Sequence, residues 1–151
     1  MGLNRSGREK IQNFTRLNQY AMDTNNYGII SKKSPYDVKK SLDMFQQLLA
    51  AKGITVFARI DQQAEARKVG LDLPPTELLI FGNPLAGTPI MDSFPLASLD
   101  LPLKLLAWSH EGADVWLVYN DPAYLGQRYG LPDEMVKKLD FGPLVDKVIH
   151  S

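Results

Sequence analysis

The sequence contains no cysteine. Disulfides, thiolate metal centres and a cysteine nucleophile are therefore excluded, and the redox compartment is left open. Histidine is scarce. His110 and His150 are the only two, and neither belongs to a metal-ligand spacing such as H-x-x-x-H. Ser109-His110-Glu111 is consecutive, and adjacent residues on a strand point apart, so it is no catalytic triad. Net charge is also missing. Lys plus Arg and Asp plus Glu are 17 each, so no basic field attracts nucleic acid and none is expected as a partner. No apolar run approaches the ~20 residues needed to span a bilayer. The first residues, MGLNRSGREKIQNF, lack the apolar centre of a secretory signal. The expectation is a cytoplasmic chain with no membrane partner.

What is present describes an ordinary folded chain. Its 151 residues, 44 % hydrophobic and 23 % charged, fit a single domain with its own core. Residues 1–26 read as an N-terminal extension, with Ile11, Phe14, Leu17 and Ala21 at the spacing of an amphipathic helix. Residues 27–151 form the domain proper. Tyr27–Lys33 predicts a strand. Ser34 before Pro35 predicts a helix cap, and Val38, Leu42, Phe45, Leu48 and Leu49 carry that helix to Lys52, where Gly53 stops it. Ile54–Asp61 predicts a strand, Gln62–Val69 a short polar helix, and Glu77–Phe81 a central strand that is apolar on both faces. Pro102–Ser109 and Asp114–Tyr119 flank a glycine-containing loop, which predicts a hairpin. Helices are expected over Pro122–Tyr129 and from Asp133 to Ile149, the last weakened at Gly142 and Pro143. This order predicts an α+β fold in two layers, a mainly antiparallel sheet packed on helices with its other face uncovered.

Residues 78–91, LLIFGNPLAGTPIM, have the glycine spacing of a phosphate-binding loop. Thr88 stands where that loop needs lysine, and Pro89 where it needs the magnesium-binding hydroxyl. Nucleotide hydrolysis is therefore not expected. The better reading is structural, with Thr88 capping a short helix whose first residue is Pro89.

The stretches ELLIFGNPLAGTPIM (77–91) and LDLPLKLLAWSHEGADVWLVYNDP (99–122) resemble the domain of unknown function 302 family. The upstream stretch from Ser34 to Pro84 matches in order and spacing. The resemblance implies a curved antiparallel sheet against helices, and dimers. It implies no settled activity, and it carries no catalytic residue onto this chain; the residues themselves give no reason to expect a cofactor.

Strand alternation places Phe57, Arg59 and Asp61 on one face, opposite Val56, Ala58 and Ile60; it groups Lys104, Leu106 and Trp108, and pairs Tyr119 with Asp121. Arg59 and Lys104 are cations placed mid-strand, where a buried charge needs a partner such as Asp61, Glu77 or Asp121. Arg59, Asp61, Asn83, Thr88, Lys104, Trp108, Tyr119 and Asp121 are the candidate ligand-binding residues, suited to a small anionic or aromatic molecule. Three functions compete. The first is a non-catalytic small-molecule binder acting as a homodimer. The second is an interaction module with no ligand. The third is an acid–base enzyme using Asp61 or Asp121, ranked last because no metal, cofactor or nucleophile motif accompanies them.

Overall fold

Five strands form one antiparallel sheet: β1 (Ile29–Ser34), β2 (Thr55–Asp61), β3 (Thr76–Gly82), β4 (Leu103–Ser109) and β5 (Val115–Asn120). Their order across the sheet is β1-β5-β4-β3-β2. The computed structural model describes residues 26–110 and 112–151. The amphipathic pattern of residues 11–21 lies outside them. β3 is flanked on both sides, as its two-sided apolar run predicts, and β4–β5 is the expected hairpin. Glu77, Leu79 and Phe81 of β3 and Leu105 and Ala107 of β4 are buried beneath the helices. Their alternates on the far face, such as Leu78, Ile80, Leu106 and Trp108, stay partly exposed. The fold is a two-layer α+β architecture.

Helix α1 (Val38–Ala51) presses Val38, Leu42, Phe45 and Leu49 onto the sheet. It starts later than Ser34-Pro35 suggests. Ser34 is the last residue of β1, and Asp37 is the cap, its carboxylate accepting the Lys40 N–H at 2.7 Å. The apolar stripe begins at Val38, so the nearer cap is the one used. Ser34 keeps a different role, with its hydroxyl 2.7 Å from that of buried Ser41. Gly53, at φ 69°, turns the chain out of α1 into β2. Asp61 ends β2 and at once caps α2 (Gln62–Lys68).

Helix α3 (Pro84–Ser93) corrects the expectation for Thr88. The helix begins five residues earlier, and Asn83 is its cap, accepting the Leu85 N–H at 3.0 Å. Both Asn83-Pro84 and Thr88-Pro89 offer a cap followed by proline, and the end of β3 at Gly82 selects the first. Asn83→Ala is therefore expected to cost about 1 kcal/mol, while Thr88→Ala, inside the helix, leaves the melting curve nearly unchanged. Thermal melts of the two variants side by side check this; a larger loss for Thr88→Ala would reverse the assignment.

The C-terminal segment is three helices: α4 (Pro122–Tyr129), α5 (Asp133–Lys138) and α6 (Gly142–Ile149). The single helix expected from Asp133 to Ile149 breaks at Leu139–Phe141. Phe141 turns inward there and stacks on the core: Phe45, Phe81 and Phe141 meet with centroids 5.2, 5.9 and 4.9 Å apart. Edge-on packing of this kind adds to the stabilisation from burial alone. A second cluster, Ile90, Leu125, Leu131 and Leu139, ties α3 to α4 and α5.

β2 carries a bulge between Val56 and Ala58. Val56 pairs with Phe81 and Arg59 with Leu79, so both sit on the helix side. Strict alternation separates them. The extra residue, Phe57, resets the period and is itself 53 % exposed.

Candidate functional site

A cavity of about 400 Å³ opens at one end of the helix layer. Its apolar walls come from the separated segments that meet there: Phe81 of β3, Met91 of α3, Leu103 of β4, Leu139 beyond α5, and Phe141 and Leu144 around α6. Phe57, pushed out by the bulge, stands at its edge, and Gly87 leaves its α3 wall thin. A β-carbon there meets nothing closer than the Met91 methyl at 3.8 Å. The polar lining is Lys52, Asn83, Thr88, Lys138, Asp140 and Lys147. The three lysines are exposed, and none has a carboxylate partner among the described residues. Asp140 is engaged by the Gly142 N–H at 2.9 Å. The chamber is thus apolar within, with cations about its mouth.

The structure divides the eight sequence candidates among separate places. Asn83 and Thr88 line this cavity. Lys104 and Trp108 lie on the far face of the sheet, Lys104 reaching the Pro102 carbonyl at 3.3 Å. Arg59 faces α1, and its guanidinium is consumed there. It donates to Glu77 at 3.1 Å, Asp43 at 2.6 Å, Gln46 at 3.3 Å and the Lys39 carbonyl at 3.2 Å. Asp61 and Asp121 are helix caps, accepting the Ala64 and Ala123 N–H groups at 2.9 Å each. Tyr119 is in the core, 4.7 Å from the Phe141 ring. The three lysines were not singled out by sequence, because an isolated surface lysine carries no spacing signal.

Tyr119 belongs to a polar knot beside the cavity. Lys32 donates to Asp146 at 2.8 Å and lies 5.7 Å from the Tyr119 ring centre. Desolvation works against the Lys32 cation, but the Asp146 and Tyr119 contacts outweigh it and raise its pKa above the ordinary 10.5. Burial pushes the Tyr119 hydroxyl above its ordinary 10.0. A folded-state pKa raised in this way contributes stability that is complete below the unfolded value and is lost as pH rises through the folded one. Both groups act in the same direction. The melting temperature is expected to fall above about pH 10, and less steeply in the pair Lys32→Met, Tyr119→Phe. Melts between pH 8 and 11.5 check this; parallel profiles would contradict it.

Among the described residues there is no cluster of His, Cys, Asp or Glu able to hold a metal, and no helix long and apolar enough to cross a membrane. Fold and cavity together define a two-layer α+β domain with an apolar chamber at one end of its helix layer. The solved structure titled "Crystal structure of uncharacterized conserved protein DUF302 from Bacillus stearothermophilus" shares this fold. Its TM-score is 0.67 at 15 % identity, over 82 % of this chain and 96 % of that one. Residues 30–141 match the family described as "Domain of unknown function DUF302", and the chain belongs to that family. A 104-residue stretch, 69 % of this chain, is 42 % identical to "Fluoride-specific ion channel FluC 1" of Brucella suis and of Brucella abortus. It spans about two fifths of those proteins, 41 % and 38 % of their length.

Proposed function

We propose that this domain is a non-catalytic binding protein for a small anionic or aromatic molecule, held in the cavity between β3, α3 and the C-terminal helices, and that it acts as a homodimer. The observation that carries the reading is the chamber itself, apolar within and bordered by Lys52, Lys138 and Lys147. The use of Asp61 and Asp121 as helix caps removes support from acid–base catalysis by either. The dimer is supported by the partly exposed far face of the sheet, where Leu106, Trp108 and Trp116 leave apolar area to be covered.

Gly87→Leu tests the chamber. It projects a side chain past Met91 into the space and, replacing glycine inside a helix, favours the fold. Native mass spectrometry of protein from its own host is expected to give a dimer with a bound small mass, and Gly87→Leu a dimer without it. A ligand mass unchanged in Gly87→Leu would remove the chamber, and a strictly monomeric mass would remove the dimer.

A second reading is favoured by the relatives named as fluoride channels. In it, this domain attaches to such a channel as an interaction module, needing no ligand. Co-purification with a fluoride channel from the same host, undiminished in Gly87→Leu, is the result expected of that reading alone.

A further inference from the structure

Resting on the chamber reading above, we infer that its ligand is an amphiphilic anion: an aliphatic body ending in a carboxylate or phosphate. The chemistry of the lining is sorted by depth. Phe81, Phe141 and Leu144 at the back are at most 7 % exposed, and each belongs to the main core. They offer an incoming molecule nothing but carbon. Burying a polar group against them without a partner would be costly, so the inner part of the ligand is apolar. The charged groups are exposed and come from three different helices: Lys52 follows α1, Lys138 closes α5 and Lys147 lies in α6. Against them stands one carboxylate, Asp140, already holding the Gly142 N–H. The border is therefore cationic on a chain whose net charge is zero. The Asn83 carbonyl oxygen is spent on the α3 cap, which leaves its amide N–H groups as further donors on a residue of the lining. Three lysines and the Asn83 amide against the single Asp140 carboxylate make the mouth favour an anion over a cation.

The three lysines also have a simpler use. Lys52, Lys138 and Lys147 all lie at helix C-terminal ends, where a cation complements the dipole. That role needs no ligand, and it predicts no difference between charged and uncharged amphiphiles. The two explanations therefore separate in a single comparison.

Decanoate, 1-decanol and inorganic phosphate are titrated calorimetrically into the full chain, and into Lys138→Ala/Lys147→Ala and Gly87→Leu. Decanoate is expected to bind at least ten-fold more tightly than decanol, and phosphate not measurably. The double lysine variant should lose about ten-fold for decanoate and nothing for decanol, and the preference should shrink as salt rises. Gly87→Leu should bind neither. Equal affinities for decanoate and decanol, or a lysine variant that binds decanoate normally, would overturn the anionic class while the chamber stands. Decanoate binding unchanged in Gly87→Leu would overturn both. Co-sedimentation with phosphatidylglycerol vesicles gives the source. Lysine-dependent pelleting identifies the anion as a lipid headgroup, and its absence alongside decanoate binding identifies a free amphiphile.

Discussion

Phe81→Ala is expected to destabilise the protein by about 3–5 kcal/mol, while Ile80→Ala, its neighbour on the same strand, costs about 1 kcal/mol. Phe81 is 1 % exposed and holds Phe45 and Phe141 at 5.2 and 4.9 Å. Its ring joins β3 to α1 and to the turn before α6, so truncation leaves a void that three elements must close at once. The segments are fixed to one sheet and cannot collapse into it freely, which is why the upper end of the range applies. Ile80 points to the other face and is only partly buried. Urea titrations give both numbers from the midpoint shift at constant slope. A loss for Ile80→Ala equal to that for Phe81→Ala would mean that something packs the far face as firmly as the helices pack the near one.

Arg59→Ala is expected to cost about 3 kcal/mol, the low end of the range for removing one partner of a buried ion pair. Arg59 is 21 % exposed in its side chain and Glu77 12 %. Without the guanidinium, the Glu77 carboxylate is left in a poorly solvated site with nothing to neutralise it. α1 would lose its link to β2 as well, because Asp43, Gln46 and the Lys39 carbonyl all belong to that helix or its first turn. Glu77→Gln in the Arg59→Ala background should recover part of the loss, since an amide is cheaper to bury than a carboxylate. The four proteins form a double-mutant cycle. A single-variant loss below 1 kcal/mol, or no coupling between the two positions, would show the network to be ornamental.

Most elements were legible from residue patterns because they are local. The stripe from Val38 to Leu49 could bury itself only as a helix, and the paired apolar runs around Gly112 could close only as a hairpin. The misreadings arose where two local answers were equally good. Ser34-Pro35 competes with Asp37, and Thr88-Pro89 with Asn83-Pro84. The start of the apolar stripe at Val38 decided the first, and the end of β3 at Gly82, a property of sheet pairing, decided the second. Phe141 illustrates a different limit. Its pull into the aromatic core interrupts a helix that its neighbours alone would continue. The site was less legible than the fold. The family resemblance carried the architecture and no chemistry, and alternation through β2 assumed an unbroken period. The chamber draws on residues from Lys52 to Lys147, so no contiguous stretch announces it. Only Asn83 and Thr88 were recognised, because the glycine pattern around them drew attention for another reason.

The irregularity in β2 has a consequence for how this chain can vary in length. Excising Phe57 would bring Val56 next to Ala58 and leave every later pairing with β3 as it is, since the partners already run on as though that residue were missing. A deletion of one residue is therefore accommodated at this point, whereas one placed later in the strand would turn Arg59 outward or Ile60 inward. The sheet has no use for Phe57. What it furnishes is a rim to the chamber, so homologues lacking it should keep the scaffold and differ in what they admit.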